Sequence, residues 1–219
     1  TSHGIVIKGA ATNVAIINPS VGWAIPPSAR SMGDGIRAMG YPSDSAPASG
    51  WTGSTGTIRN LTIVKARVVN APQTGAVLHG VTDVKVSGFR AIGTKADGLH
   101  FNACRRINVS DHSALDCGDD GLAFVTYQHD TDVWDSPSGG PFSTATLSDW
   151  CNTGAASGVV VADGVASGVR VQQARDLSIS AVVVQSKPNG IIINSSISGG
   201  GIDWTSLASN GVSINGVSL

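Results

Sequence analysis

Charge is scarce in this sequence: Asp, Glu, Lys and Arg together make up 13% of 219 residues, and the net charge is -1. So neutral a chain has no electrostatic footprint for a phosphate backbone, which excludes nucleic acid as a partner. Cysteine is nearly absent. Cys104, Cys117 and Cys151 are an odd number without a CxxC pair, which argues against a disulfide scaffold or a zinc site. They are read as small buried hydrophobes, and no metal or cofactor is expected. Long apolar runs are missing too. "GVVVA" and "AVVVQ" are far too short to cross a bilayer, so no membrane association is expected. Nor is there a long stretch with helical 3.6-residue periodicity. The chain starts without Met and stops at "INGVSL", which reads as mid-strand. A piece of a longer protein is therefore expected, and the lack of a targeting segment carries little weight.

Glycine, by contrast, is plentiful at 28 residues, and it keeps time. "TGAVLHGVTDVKVSGFRAIGTKA" fills 74–96 and "DGLHFNACRRINVSDHSALDCGD" fills 97–119, with "DGLAFV" opening the next unit. Further units run over 167–189 and 190–210. Each opens on Gly and alternating apolar residues. About nine residues on comes a second signature, "TNVAI", "RNLTI", "TDVKV", "RRINV" or "RDLSI". A third short apolar segment follows, such as "FRAI", "SAL" or "AVVV". Three short strands in a period of about 23 residues predict an all-β fold, a parallel β-helix in one domain over 1–219. Period-2 alternation puts Ala76, Leu78, Leu99, Phe101, Leu122, Phe124, Val169, Val171, Ile191 and Ile193 in the core, and Val84, Val86, Ile107, Val109, Leu177 and Ile179 behind a second sheet. It turns His100, Asn102, Arg170 and Gln172 outward and makes His79 plain surface. Arg106, one period after Asp83, should form a surface ion pair worth about 0–1 kcal/mol. Two stretches break the rhythm, about 19–56 and 126–158, and are expected to be irregular loops walling a site. From Gly121 to Gly168 is 47 residues, the length of roughly two repeats, and is read as one repeat with a long loop thrown out beside the first sheet.

Asp97 and Asp120 lie one repeat apart, so they should be neighbours on strands about 4.8 Å apart, with Asp119 at the same edge. Like charges held close raise one pKa, leaving one acid protonated and one ionised, as general acid–base work on a glycosidic bond requires. The competing reading is turn chemistry: Asp caps backbone amides and the following Gly supplies a positive φ. Tyr127, Trp134 and Trp150 are placed to stack on sugar rings or to pack the loop. His129, Asp130, Asp132 and Asp135 lack the glycine and final Glu of a calcium loop and read as solvated loop.

"ADGLHF" followed by "GDDGLAF" resembles the paired motifs of the polygalacturonase-like glycoside hydrolases, within the pectin-lyase-like superfamily of right-handed parallel β-helices. That resemblance implies a secreted enzyme cutting polysaccharide, with Asp97, Asp119 and Asp120 as catalytic triad and His100 facing the groove. Asn102, Tyr127, Trp134, Trp150, Arg170 and Lys187 are the substrate-binding candidates. The family's Gly-His-Gly has no counterpart here; Ser167 stands where the stack from Asp120 leads. Its Arg-Ile-Lys is missing as well, leaving Arg170 and Lys187 as the nearby cations. The same repeats look like those of bacteriophage tailspikes and tail proteins. That likeness implies an extracellular or virion-borne protein acting on a bacterial surface glycan, with a homotrimer by analogy. The function expected is a glycoside hydrolase, a tailspike depolymerase being one form of it. The alternative is a non-catalytic structural or glycan-binding β-helix of a phage tail or surface fibre. A lyase or epimerase ranks third, because no Arg/Lys cluster stands beside the acids to neutralise a uronate.

Overall fold

The computed structural model describes residues 3–8, 10–40, 58–126, 153–195 and 209–219. In chain order the strands are β1 (Ile5–Lys8), β2 (Ala11–Ile17), β3 (Ser20–Gly22), β4 (Ile36–Met39), β5 (Ile58–Val64) and β6 (Arg67–Val69). Then come β7 (Ala76–His79), β8 (Thr82–Ser87), β9 (Arg90–Ile92), β10 (Leu99–Asn102), β11 (Arg105–Cys117) and β12 (Leu122–Val125). The last are β13 (Gly154–Gly164), β14 (Ser167–Gln172), β15 (Leu177–Gln185), β16 (Asn189–Asn194) and β17 (Ser213–Ser218). No helix occurs among the described residues, so none there is long and apolar enough to cross a membrane.

These strands form two parallel sheets, one of 7 strands in the order β1-β4-β7-β10-β12-β14-β16 and one of 10. This corrects the expected right-handed parallel β-helix with three strands per repeat: the second and third apolar segments do not build separate sheets. The reason is local. Between them the chain turns at a single left-handed residue: Asn18, Lys65, Gly88, Asp111, Gly158, Ala181 or Gly216. One such residue redirects the chain without ending the ladder. β11 therefore runs 13 residues straight through Asp111, pairing with β8 before the bend and β9 after it. Asn, Asp and Gly tolerate this conformation best, and they hold most of these positions.

The repeat itself sets the register. Leu99 pairs with Ala76 on one side and Leu122 on the other, and Phe101 with Leu78 and Phe124. Their side chains are 0% exposed, and the Phe101 and Phe124 rings stack with centroids 5.2 Å apart. Burying each is worth roughly 1.5–3 kcal/mol. β12 pairs directly with β14, so the 47 residues from Gly121 to Gly168 make one step of the stack, in line with the reading of a single repeat. Two expected loops shrink accordingly. The stretch 19–56 contains β3 and β4, and 126–158 gives up its last residues to β13. Ile193, expected in the core, is 48% exposed, because β16 is the last strand of its sheet.

Strict alternation also fails on the seven-stranded sheet. Every residue of β4, β7, β10 and β12 is buried, as is usual for a parallel sheet covered on both faces. His100, Asn102 and Gln172, expected outward, are 7%, 0% and 4% exposed, and His79, expected on the surface, is 1%. Burial, then the charges of Arg37 and His100, holds the His79 pKa well below its ordinary value, so the ring is neutral.

A second expectation about the turns changes as well. Neither Gly98 nor Gly121 has a positive φ. Glycine stands there because strands meet tightly: a Cβ on Gly98 would lie 2.5 Å from the Gly121 carbonyl oxygen and 2.8 Å from Ala114 Cβ. The residue before each of these glycines therefore always occupies the same position, at the mouth of a strand. In chain order that column reads His3, Asp34, Thr74, Asp97, Asp120, Ser167 and Asn189.

Candidate functional site

The column carries a chain of hydrogen bonds from repeat to repeat. Thr74 N–H donates to Asp34 Oδ1 at 3.1 Å, Asp120 N–H to Asp97 Oδ1 at 2.9 Å, and Ser167 N–H to Asp120 Oδ1 at 2.9 Å. Each aspartate uses its other oxygen on a base. Asp34 Oδ2 meets Arg37 Nη1 at 3.0 Å, and Asp97 Oδ2 meets the His100 ring, in both cases three residues further along the chain. In Asp120's own repeat the equivalent residue is Ala123, and the acid instead pairs with Arg170 of the next strand. The three carboxylates are 1%, 5% and 3% exposed. Burial on this scale is tolerable only because every charge is paired and hydrogen-bonded.

Asp119 stands outside this ladder. Its side chain is 34% exposed and meets Arg30 Nη1 at 3.1 Å, while Lys187 Nζ donates to its backbone carbonyl at 2.7 Å and also to that of Val165. One oxygen from each of Asp97, Asp119 and Asp120 falls within 4.8 Å of the others. The predicted triad is thus brought together, and so are His100, Arg170 and Lys187. The three oxygens are close enough together to ligate a cation, and the cations Arg30, Arg170 and Lys187 stand against the same acids.

The environments separate the three acids. Burial, then the charges of Asp97 and Asp120, pushes Asp119 up to about 6. Burial and Asp97 also raise Asp120, against the pull of Arg170 and Ser167. For Asp97 burial is again the largest influence, but the charge and hydrogen bond of His100, with Arg30 and the Asp120 N–H, outweigh it and leave the pKa lowered. Burial depresses Lys187. Below about pH 6 the cluster therefore keeps a proton on Asp119, its most exposed acid.

Asn102 is buried on the same strand as His100 and forms no part of the acidic cluster. Tyr127, Trp134, Trp150 and the 129–135 acids lie outside the described residues, as does Cys151. The expectation that no Arg/Lys cluster stands beside the acids is overturned, chiefly by Arg30. That residue comes from 89 positions away, oriented by its Nε hydrogen bond to Gln73 at 2.7 Å, and no motif marks it. Asp34 was equally invisible, since "GDGIRAM" at 33–39 lies in a stretch read as loop. Its Asp-Gly followed by a base at the third position is the ladder signature. No protein-family model matches the chain, and no curated protein matches it.

Proposed function

We propose that this chain acts on a polysaccharide as a glycoside hydrolase, with Asp119 as general acid. The observation carrying this reading is the division of labour among three adjacent carboxyls. Asp119 is the accessible one and keeps its proton to about pH 6, while Asp97 is held ionised. Paired carboxyls with pKa values driven apart are the equipment for protonating a glycosidic oxygen while a carboxylate supports the developing positive charge. Asp97 and Asp120 then supply negative potential, and Arg30, Arg170 and Lys187 hold the acids in place. In this reading the protein works outside the cell, secreted or on a virion, and its partner is a bacterial surface glycan. The resemblance of "ADGLHF" and "GDDGLAF" to the polygalacturonase-like motifs supports the same assignment.

A second reading has its own observation. Asp34 has the same two contacts as Asp97, a backbone N–H from the next repeat and a base at the third position, with neither Asp119 nor Asp120 beside it. Ladder contacts therefore account for Asp97 and Asp120 without any substrate, and the chain would then be a rigid structural or glycan-binding element of a tail or fibre. The two readings divide at Asp119, which the ladder does not need. Reducing-end release from acidic and neutral bacterial polysaccharides by wild type and Asp119→Asn decides between them. The hydrolase reading expects at least a hundredfold loss in a variant whose melting temperature is no lower than that of wild type. Undiminished cleavage by a folded Asp119→Asn removes Asp119 as the acid. No cleavage by wild type across the panel selects the structural reading.

A further inference from the structure

The bend in the ten-stranded sheet carries a second feature, remote in the sequence repeat from the aspartates. A groove of about 700 Å³ follows it, and its lining includes Lys65, Arg67, Arg90, Asp111, Ser113 and Val160. Arg67 and Arg90 are direct partners on the neighbouring strands β6 and β9. Both are exposed, as is Lys65. Like charges placed opposite each other on adjacent strands repel. The arginines at the column, by contrast, meet acids: Arg30 meets Asp119, Arg37 meets Asp34 and Arg170 meets Asp120. Lys65, Arg67 and Arg90 form no ion pair among the described residues, and Asp111 is the one acid lining the groove.

The surroundings of these cations are not uniformly polar. Beyond Arg90 and along the same face lie Ile92, Leu115 and Val160, the latter two 43% and 45% exposed. Just before the bend, serines recur at 87, 110, 157 and 180, in register from strand to strand, with Ser110 Oγ donating to Ser87 Oγ at 3.0 Å. Cations, an aliphatic strip and a row of hydroxyls match three parts of one ligand class. A sugar acid has a carboxylate, an apolar C–H face and hydroxyl edges. The planar guanidinium fork suits a carboxylate in particular. Three cations on a chain of net charge -1 are too few for a polyphosphate backbone.

We propose that this bend is a binding surface for an acidic oligosaccharide, held by Arg67, Arg90 and Lys65 through its carboxylates. The surface is separate from Asp119 and stands whether or not Asp119 cleaves anything. Calorimetric titration at low salt with alginate oligosaccharides tests it, with neutral maltooligosaccharides and dextran sulfate fragments of matched length alongside. Alginate is expected to bind and the neutral series not. The Arg67→Ser/Arg90→Ser double variant should weaken alginate binding about tenfold or more, since each charged hydrogen bond lost is a large fraction of such a factor. Lys65→Ser should weaken it less, and Asp119→Asn not at all. Equal affinity for the neutral series overturns the proposal, as does undiminished binding by the folded double variant. Loss of binding in Asp119→Asn alone would place the ligand at the aspartates instead. Dextran sulfate binding as tightly as alginate would overturn the carboxylate assignment.

Discussion

Replacing Asp97 tests the ladder most directly. Its carboxylate is 5% exposed, accepts the Asp120 N–H at 2.9 Å and pairs with His100. Asp97→Ala leaves a buried N–H without an acceptor, which costs about 1–3 kcal/mol. It also leaves the His100 ring, 7% exposed, without its acid. Removing one partner of a buried ion pair costs about 3–5 kcal/mol when the other stays charged, though a histidine can shed its proton and lower that figure. The two losses share one side chain and do not add fully, so a total of roughly 3–5 kcal/mol is expected. For a chain of this size each kcal/mol moves the melting temperature by roughly 2–4 °C, giving a fall of about 6–20 °C. Asp97→Asn keeps an oxygen for the Asp120 N–H and forfeits only the charge, so it should lose less than half as much. Urea unfolding with a common m-value measures both. An Asp97→Ala variant within about 0.5 kcal/mol of wild type would refute the ladder as a source of stability. It would also return the carboxylate to a purely catalytic role.

The other expectations follow the same contacts. Gly98→Ala should destabilise by about 1–3 kcal/mol, because the new methyl meets the Gly121 carbonyl and Ala114 rather than because of backbone strain; Gly216→Ala, at a φ of 62° and with no atom closer than 3.5 Å to the added Cβ, gives a strain-only comparison. Asp119 has a folded pKa of about 6, above its ordinary value of 3.8, so its contribution to stability is complete below about pH 4 and is lost as pH rises through 6. Wild type measured against Asp119→Asn should therefore lose relative stability between pH 4 and 7, and any cleavage should decline above about pH 6. Asp97, with a lowered pKa, acts in the opposite sense, its contribution disappearing as acid protonates it below 3.8. Cys104 and Cys117 are buried, and burial lifts the Cys117 thiol to about 11, so both should resist alkylation until the protein unfolds; peptide mapping after iodoacetamide at pH 8 reads this out.

Much of this architecture was legible because the repeat is a local pattern with a physical cause. Gly at a fixed position, alternating apolar residues after it and a turn residue nine positions on recur every 23 residues over the middle of the chain. Parallel pairing then follows, with Leu99 between Ala76 and Leu122. The Asp83–Arg106 pair followed from the same arithmetic and is present, with contacts of 2.6 and 2.8 Å. Spacing placed Asp97, Asp119 and Asp120 at one edge, and the structure turns one oxygen of each to within 4.8 Å of the others. What the sequence could not set was how segments share sheets. A left-handed residue looks like any turn residue in a list of letters, and only the hydrogen-bond ladder reveals that β11 continues through Asp111.

Nor could period-2 alternation say whether a face is solvated. It separates the two faces of a strand, and burial of the second face is a property of what packs there, which is why His79, His100 and Asn102 were placed in water. Arg30 and the exposure that sets Asp119 apart from Asp97 and Asp120 belong to the same class. Repeat periodicity determined which residues are neighbours along the stack, because pairing distance is a backbone constant. Tertiary structure alone decided which of those neighbours meet solvent and which distant cations reach them, because desolvation and charge depend on the whole surrounding shell.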